Sequence, residues 1–139
     1  MGQIWLIHSE LQRFEDSMHR CLEHPTFLRR FYDRFIGSSP EVAEKFANTN
    51  LDRQAQMLED SLRLVLKAAV GVEAGRDHLA QIAELHSRRS LGIGAHLYQF
   101  WLDSLVSVAS ETDAEWDESL DDVWRAALQP CIDRMIRVA

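Results

Sequence analysis

Apolar residues recur at intervals of three and four along this chain, and this period constrains the fold more than any other feature. In the first segment, for example, the apolar positions are Ile7, Leu11, Phe14, Met18 and Leu22. Such spacing places apolar side chains on one face of an α-helix, whereas a half-buried strand requires strict alternation. Because alternation never lasts beyond a few residues, the sequence predicts an all-helical fold without strands.

Proline, glycine and capping residues divide this pattern into six or seven helices. The first helix is predicted at about residues 4–22, and Pro25 is expected in the first turn of the second helix, which Gly37 ends. Ser39 is expected to cap a short helix that begins at Pro40.

The remaining helices follow from the same apolar period. They are predicted at about residues 51–70, 79–90, 98–109 and 113–135. The last of them is expected to start at a cap formed by Thr112 or Asp113, with Glu115 in its first turn completing a capping box. The whole chain, residues 1–139, is expected to form a single domain.

The charge and composition exclude several classes of protein. Fifteen Lys and Arg residues against 22 Asp and Glu residues give a net charge of −7, which disfavours binding to nucleic acids and anionic membranes. No apolar stretch approaches the roughly 20 residues of a membrane span, and no secretory signal is apparent. Cys21 and Cys131 form no paired motif and are expected to be buried, so a cytoplasmic location is expected.

One of the six histidines stands apart from the others. His86 continues the apolar stripe of its predicted helix and is followed by a glycine-rich corner. It is either a core histidine hydrogen-bonded to a backbone carbonyl or an axial metal ligand in an apolar slot. The remaining histidines are expected to be polar surface residues, with the last of them capping or pairing locally: His8, His19, His24, His78 and His96.

Aromatic residues concentrate around Tyr32, which lies between Phe31 and Phe35 in sequence, with Phe27 and Phe46 nearby. Such a cluster commonly reflects core packing alone. A flat slot lined by aromatic side chains is also what a large planar cofactor requires.

Residues 31–46 resemble the second helix, the proline-started third helix and the following haem-facing phenylalanine of the globins. The similarity is to bacterial single-domain globins and to the haem domain of flavohaemoglobins, and Phe46 takes the place of that phenylalanine. The spacing from Tyr32 to Phe46 matches the family without a gap.

Residues 52–58 resemble the start of the globin distal helix. In that family, a glutamine followed four residues later by leucine faces the open side of the iron, and Gln54 and Leu58 take these places here. Gln56 is the alternative for the distal glutamine, because the preceding connection is two residues shorter than in flavohaemoglobins.

Residues 79–89 resemble the globin proximal helix, and residues 98–102 resemble the start of the helix that follows. His86 then corresponds to the proximal histidine and Tyr98 to a tyrosine near the start of that next helix. Trp124 resembles the tryptophan that anchors the last helix. The resemblance implies a 3-over-3 helical sandwich of about seven helices, with the D helix absent or very short.

The resemblance also implies a cofactor, haem b, whose iron His86 would ligate, with Phe46, Leu58 and Tyr98 as further haem contacts. The implied function is reversible binding of O₂, and of NO or CO, at a pentacoordinate iron for oxygen binding, scavenging or sensing. Tyr32 and Gln54 would donate hydrogen bonds to distal O₂.

Two alternative functions accompany this one. A nitric oxide dioxygenase would need a separate reductase, because 139 residues are expected to leave no room for a reductase domain. A haem-free globin-fold signalling module is the third possibility. Ala139 occupies the place of a glutamate that flavohaemoglobins join to the proximal histidine, which implies a less electron-donating His86 and a weaker case for oxygenase chemistry.

Overall fold

The computed structural model describes residues 8–69 and 95–138. All regular structure in these two ranges is helical, which confirms the all-helical prediction. The elements are α1 (His8–Leu22), α2 (Phe27–Gly37), α3 (Pro40–Lys45), α4 (Leu51–Ala69), a 3₁₀ turn (Ala95–Leu97), α5 (Tyr98–Thr112) and α6 (Glu118–Val138). The helix predicted at about residues 79–90 lies outside the described residues. None of the described helices is long and apolar enough to cross a membrane.

The boundaries of α2 confirm Gly37 as its last residue but correct the role of Pro25. Helix α2 begins at Phe27, and Pro25 lies in the exposed turn before it. The backbone N–H of Phe27 donates to the carbonyl of His24 (3.1 Å). Pro25 therefore lies in a tight turn before α2, and not in the first turn of the helix as predicted. This turn leaves Pro25 in solvent while Phe27 and Leu28 enter the core.

Capping residues set the starts of the next two helices. The Ser39 side chain accepts a hydrogen bond from the N–H of Glu41 (3.2 Å), and Pro40 occupies the first helical position, as predicted. Asn50 caps α4, because its Oδ1 accepts from the N–H of Arg53 (3.1 Å). The connection between α3 and α4 contains turns and no helix.

The predicted cap of the last helix is wrong. Helix α6 begins at Glu118, and the Oδ1 of Asp117 accepts hydrogen bonds from the N–H groups of Ser119 (2.9 Å) and Leu120 (3.3 Å). Asp113 instead accepts from the N–H of Glu115 within the preceding turn (2.9 Å). Thr112 belongs to the end of α5.

Helix α2 lies at the centre of the packing, against α3, α4 and α5, while α1 packs against α5 and α6. The core contains mainly aromatic and branched side chains. Its largest fully buried members include Phe14, Phe27, Phe31, Phe35, Leu105 and Trp124. Each such side chain stabilises the fold by roughly 1.5–3 kcal/mol through burial. The central position of α2 brings its aromatic residues to the junction with α3 and α4.

A buried polar chain joins α1 to the α5–α6 corner. The indole N–H of Trp124 donates to Ser17 Oγ (3.0 Å), and Ser17 Oγ donates to Asp113 Oδ2 (2.6 Å). Arg20 donates to both carboxylate oxygens of Asp113 (2.5 and 3.0 Å). Burial alone would raise the pKa of Asp113, but the hydrogen bonds from Arg20 and Ser17 outweigh it and lower that pKa.

Candidate functional site

The structure brings Tyr32 and Phe46 together at the junction of α2, α3 and α4. Both side chains are buried, and their ring centroids lie 5.8 Å apart. Phe35, one turn after Phe31 on α2, also contacts Phe46 at a centroid distance of 5.8 Å. Two aromatic rings of α2 and one from the residue that follows α3 therefore form one continuous, mostly apolar wall.

Local sequence explains why these rings meet. Phe31 and Phe35 are four residues apart and stack on one face of α2, with centroids 5.6 Å apart. Tyr32 lies beside them, 4.9 Å from the Phe31 ring. Phe46 follows immediately after the short helix α3, which packs against α2. The Phe46 ring therefore contacts the aromatic rings of α2. The i, i+4 spacing of Phe31 and Phe35 was the signal that could have added Phe35 to the candidate site.

The Tyr32 hydroxyl makes a specific contact with α4. It donates to the backbone carbonyl oxygen of Gln54 at 3.2 Å, and the Tyr32 side chain is only 4% exposed. Burial raises the pKa of the Tyr32 phenol well above its usual range, and hydrogen bonding by Gln54 offsets only part of that rise. Tyr32 is therefore a neutral phenol at physiological pH.

The two candidate distal glutamines occupy different faces of α4. Gln54 is half-buried against Tyr32, and Leu58, one turn later, is buried in the core. Gln56 is exposed, donates to Asp60 Oδ1 (3.2 Å) and lines a surface groove between α4 and the α1–α2 turn. The structure brings Gln54, rather than Gln56, next to Tyr32.

Tyr98 begins α5 and is half-buried against the core. Burial raises the pKa of its phenol. Two residues earlier, the Nε2 of His96 lies 3.0 Å from Glu41 Oε1 on α3. The expectation of a local partner for His96 is therefore wrong, because these two residues are 55 positions apart in sequence. The contact links the start of α5 to α3, close in sequence to Phe46.

Several residues singled out in the sequence lie outside the described residues: His78, His86 and Ala139. His19 and His24 are exposed, as expected, and Cys21 is buried. In residues 8–69 and 95–138, no group of three or more His, Cys, Asp or Glu side chains is placed to hold a metal ion.

The part of the candidate site formed by α2, α4 and Phe46 has the chemistry that a large planar, mostly apolar group requires. Phe46, Phe35 and Leu58 provide apolar surface, while Tyr32 and Gln54 add polar atoms at one edge. Binding pockets for cofactors combine apolar lining with a few oriented polar groups in this way. These residue types are compatible with one face of a site for a flat, mostly apolar group.

The sequence matches no protein-family profile and no curated protein sequence at a significant level. The fold does have a solved counterpart. A Pseudomonas aeruginosa protein described as structurally highly homologous to a human hemoglobin superimposes on it with a TM-score of 0.83. The two sequences are 29% identical, and the match covers 93% of this chain and 97% of the other.

Proposed function

We propose that this chain, which has the globin fold, binds haem b and reversibly binds O₂, NO or CO at a pentacoordinate iron. The observation that carries the proposal is the partly buried hydrogen bond from Tyr32 to the backbone of Gln54, beside Phe46 on a globin scaffold. The junction combines buried aromatic rings with a phenol hydroxyl and a half-buried amide, which is the mixture of apolar lining and a few polar groups that cofactor sites use.

Haem supplies an iron centre to which a diatomic ligand binds. His86 is proposed to be the residue that would hold that iron, on the strength of its place in the sequence. Phe46, Leu58 and Tyr98 are proposed to pack against the planar group. Phe46 and Leu58 are both buried, so this part of the pocket excludes water.

Tyr32 and Gln54 are the polar residues of an otherwise apolar wall. They are proposed to serve the distal side, where a hydrogen bond to a ligand that carries partial negative charge contributes roughly 1.5–3 kcal/mol. Such stabilisation slows ligand release and raises affinity. High affinity suits oxygen storage, scavenging or sensing better than bulk delivery.

Repeated ligand exchange tests this function directly. The haem-loaded, reduced protein is cycled between air and nitrogen while its absorption spectrum is recorded, and CO is added at the end. We expect the spectrum to change and return over several cycles, and CO to displace O₂. Irreversible oxidation in the first cycle would contradict reversible binding. Sustained NO consumption that requires an added reductase would instead assign the nitric oxide dioxygenase function.

A further inference from the structure

The Tyr32 hydroxyl has one hydrogen to donate. Its oxygen lies 3.2 Å from the backbone carbonyl oxygen of Gln54, in the first turn of α4, and donates to it. We propose that Tyr32 is a positioning residue, which holds this turn and thereby places the Gln54 side chain at the distal side. The role of Gln54 towards a ligand rests on the proposed function, whereas the hold of Tyr32 on α4 does not.

Leu51 and Ala55 pack this end of α4 against the core, and the polar contacts around it lie at its cap and at the surface. Its cap is Asn50, whose side-chain Oδ1 accepts from the N–H of Arg53 (3.1 Å) and whose backbone carbonyl accepts from the N–H of Gln54 (3.0 Å). The side chains of Asp52 and Arg53 are exposed. Arg29 on α2 pairs with Asp52 at 3.1 Å, but the Asp52 side chain is 92% exposed, so solvent screens this ion pair. In residues 8–69 and 95–138, the Tyr32 bond is therefore the polar link between α2 and this turn that is shielded in part from solvent.

Tyr32 and Gln54 differ in the number of hydrogens that their side chains can donate, and this difference separates their roles. A phenol carries a single donor hydrogen, whereas a glutamine amide carries two. While the Tyr32 hydrogen bonds the carbonyl, it is not available to a ligand in the pocket. Gln54 can keep its carbonyl bonded to Tyr32 and still offer its side-chain amide. The raised pKa of Tyr32 keeps the phenol protonated, so the link is present across the physiological pH range.

Hydrogen exchange tests the hold on α4 in the full-length protein, with or without haem. Tyr32→Phe keeps the ring and its packing, and removes only the hydroxyl. We expect amides of residues 53–58 to exchange about fivefold faster in this variant, as the loss of one partly buried hydrogen bond predicts. Asn50→Ala should accelerate the same amides, and amides in α6 should remain unchanged in both variants.

Arg29→Ala is the matched control, because it removes the exposed link between the same two helices. It should change exchange in residues 53–58 by less than about twofold. Unchanged exchange in Tyr32→Phe would overturn the proposal, and so would an equal acceleration in Arg29→Ala.

A double-mutant cycle tests whether Tyr32 acts through Gln54. In the haem-loaded protein, Gln54→Leu should raise the O₂ dissociation rate by about tenfold or more, and Tyr32→Phe by about threefold. If Tyr32 only positions Gln54, adding Tyr32→Phe to Gln54→Leu changes the rate by less than about twofold. CO dissociation, which depends little on hydrogen bonding, should stay the same in both single variants.

If the O₂ dissociation rate of the double variant rises by the product of the two single-variant increases, Tyr32 donates to the ligand independently of Gln54. That result would overturn the positioning role. Failure of the proposed function has a different signature. A protein that binds no haem would still show the expected exchange pattern in α4.

Discussion

Replacement of Asp113 by alanine removes the centre of the buried polar chain between α1 and the α5–α6 corner. The carboxylate accepts from Ser17, from Arg20 at both oxygens and from the N–H of Glu115. Its side chain is fully buried, whereas the Arg20 side chain is 29% exposed. Removing one partner of a buried ion pair costs about 3–5 kcal/mol, and the partial exposure of Arg20 favours the lower end.

We therefore expect Asp113→Ala to lower the free energy of unfolding by about 3 kcal/mol, which corresponds to roughly 10 °C in Tm for a domain of this size. Urea denaturation followed by the helical circular dichroism signal measures this difference. Asp103→Ala is the matched control, since Asp103 pairs with Arg125 at the surface and its side chain is 53% exposed. The control should cost less than about 1 kcal/mol. Equal losses in the two variants would refute the reasoning.

Other predictions concern the acid stability, the cap of α6 and the aromatic wall. The pKa of Asp113 is lowered in the folded protein, so its contribution is complete above about pH 4, the usual Asp pKa, and is lost as the pH falls through the lowered value. The stability difference between the wild type and Asp113→Asn should accordingly shrink in urea titrations repeated at falling pH, and a constant difference would contradict this. Asp117→Ala should destabilise by about 1 kcal/mol through loss of the helix cap, with Asp117→Asn close to the wild type in the same assay. Phe46→Ala should cost about 3 kcal/mol and speed transfer of haem to an acceptor protein, and unchanged transfer would remove Phe46 from the haem contacts.

Local signals predicted most of the helix boundaries in residues 8–69 and 95–138. Ser39 and Pro40 act through their own side-chain and backbone geometry, so their effects are readable from neighbouring residues alone. The start of α6 was harder, because Asp113 and Asp117 are both good capping residues. Asp113 forms a buried ion pair with Arg20, which is 93 residues away from it in sequence. Asp117 therefore caps the helix.

In the candidate site, too, some features were predictable from local sequence and others depended on tertiary packing. Helical spacing and the resemblance to globins predicted that Tyr32, Phe46 and Gln54 would be neighbours, and the structure places them so. The direction of the Tyr32 hydrogen bond depends on how closely α2 approaches α4, which no local pattern encodes. The choice between Gln54 and Gln56 likewise required the orientation of α4 against the core.

The absorption spectrum of the purified protein, with and without His86, tests the central claim most directly. The wild type should bind haem stoichiometrically and show a Soret band characteristic of an imidazole-ligated haem. His86→Ala should lose that band or give the spectrum of loosely held haem, while His24→Ala, at an exposed histidine, should match the wild type. A wild-type protein without a Soret band, or a His86→Ala variant with an unchanged spectrum, would contradict the account.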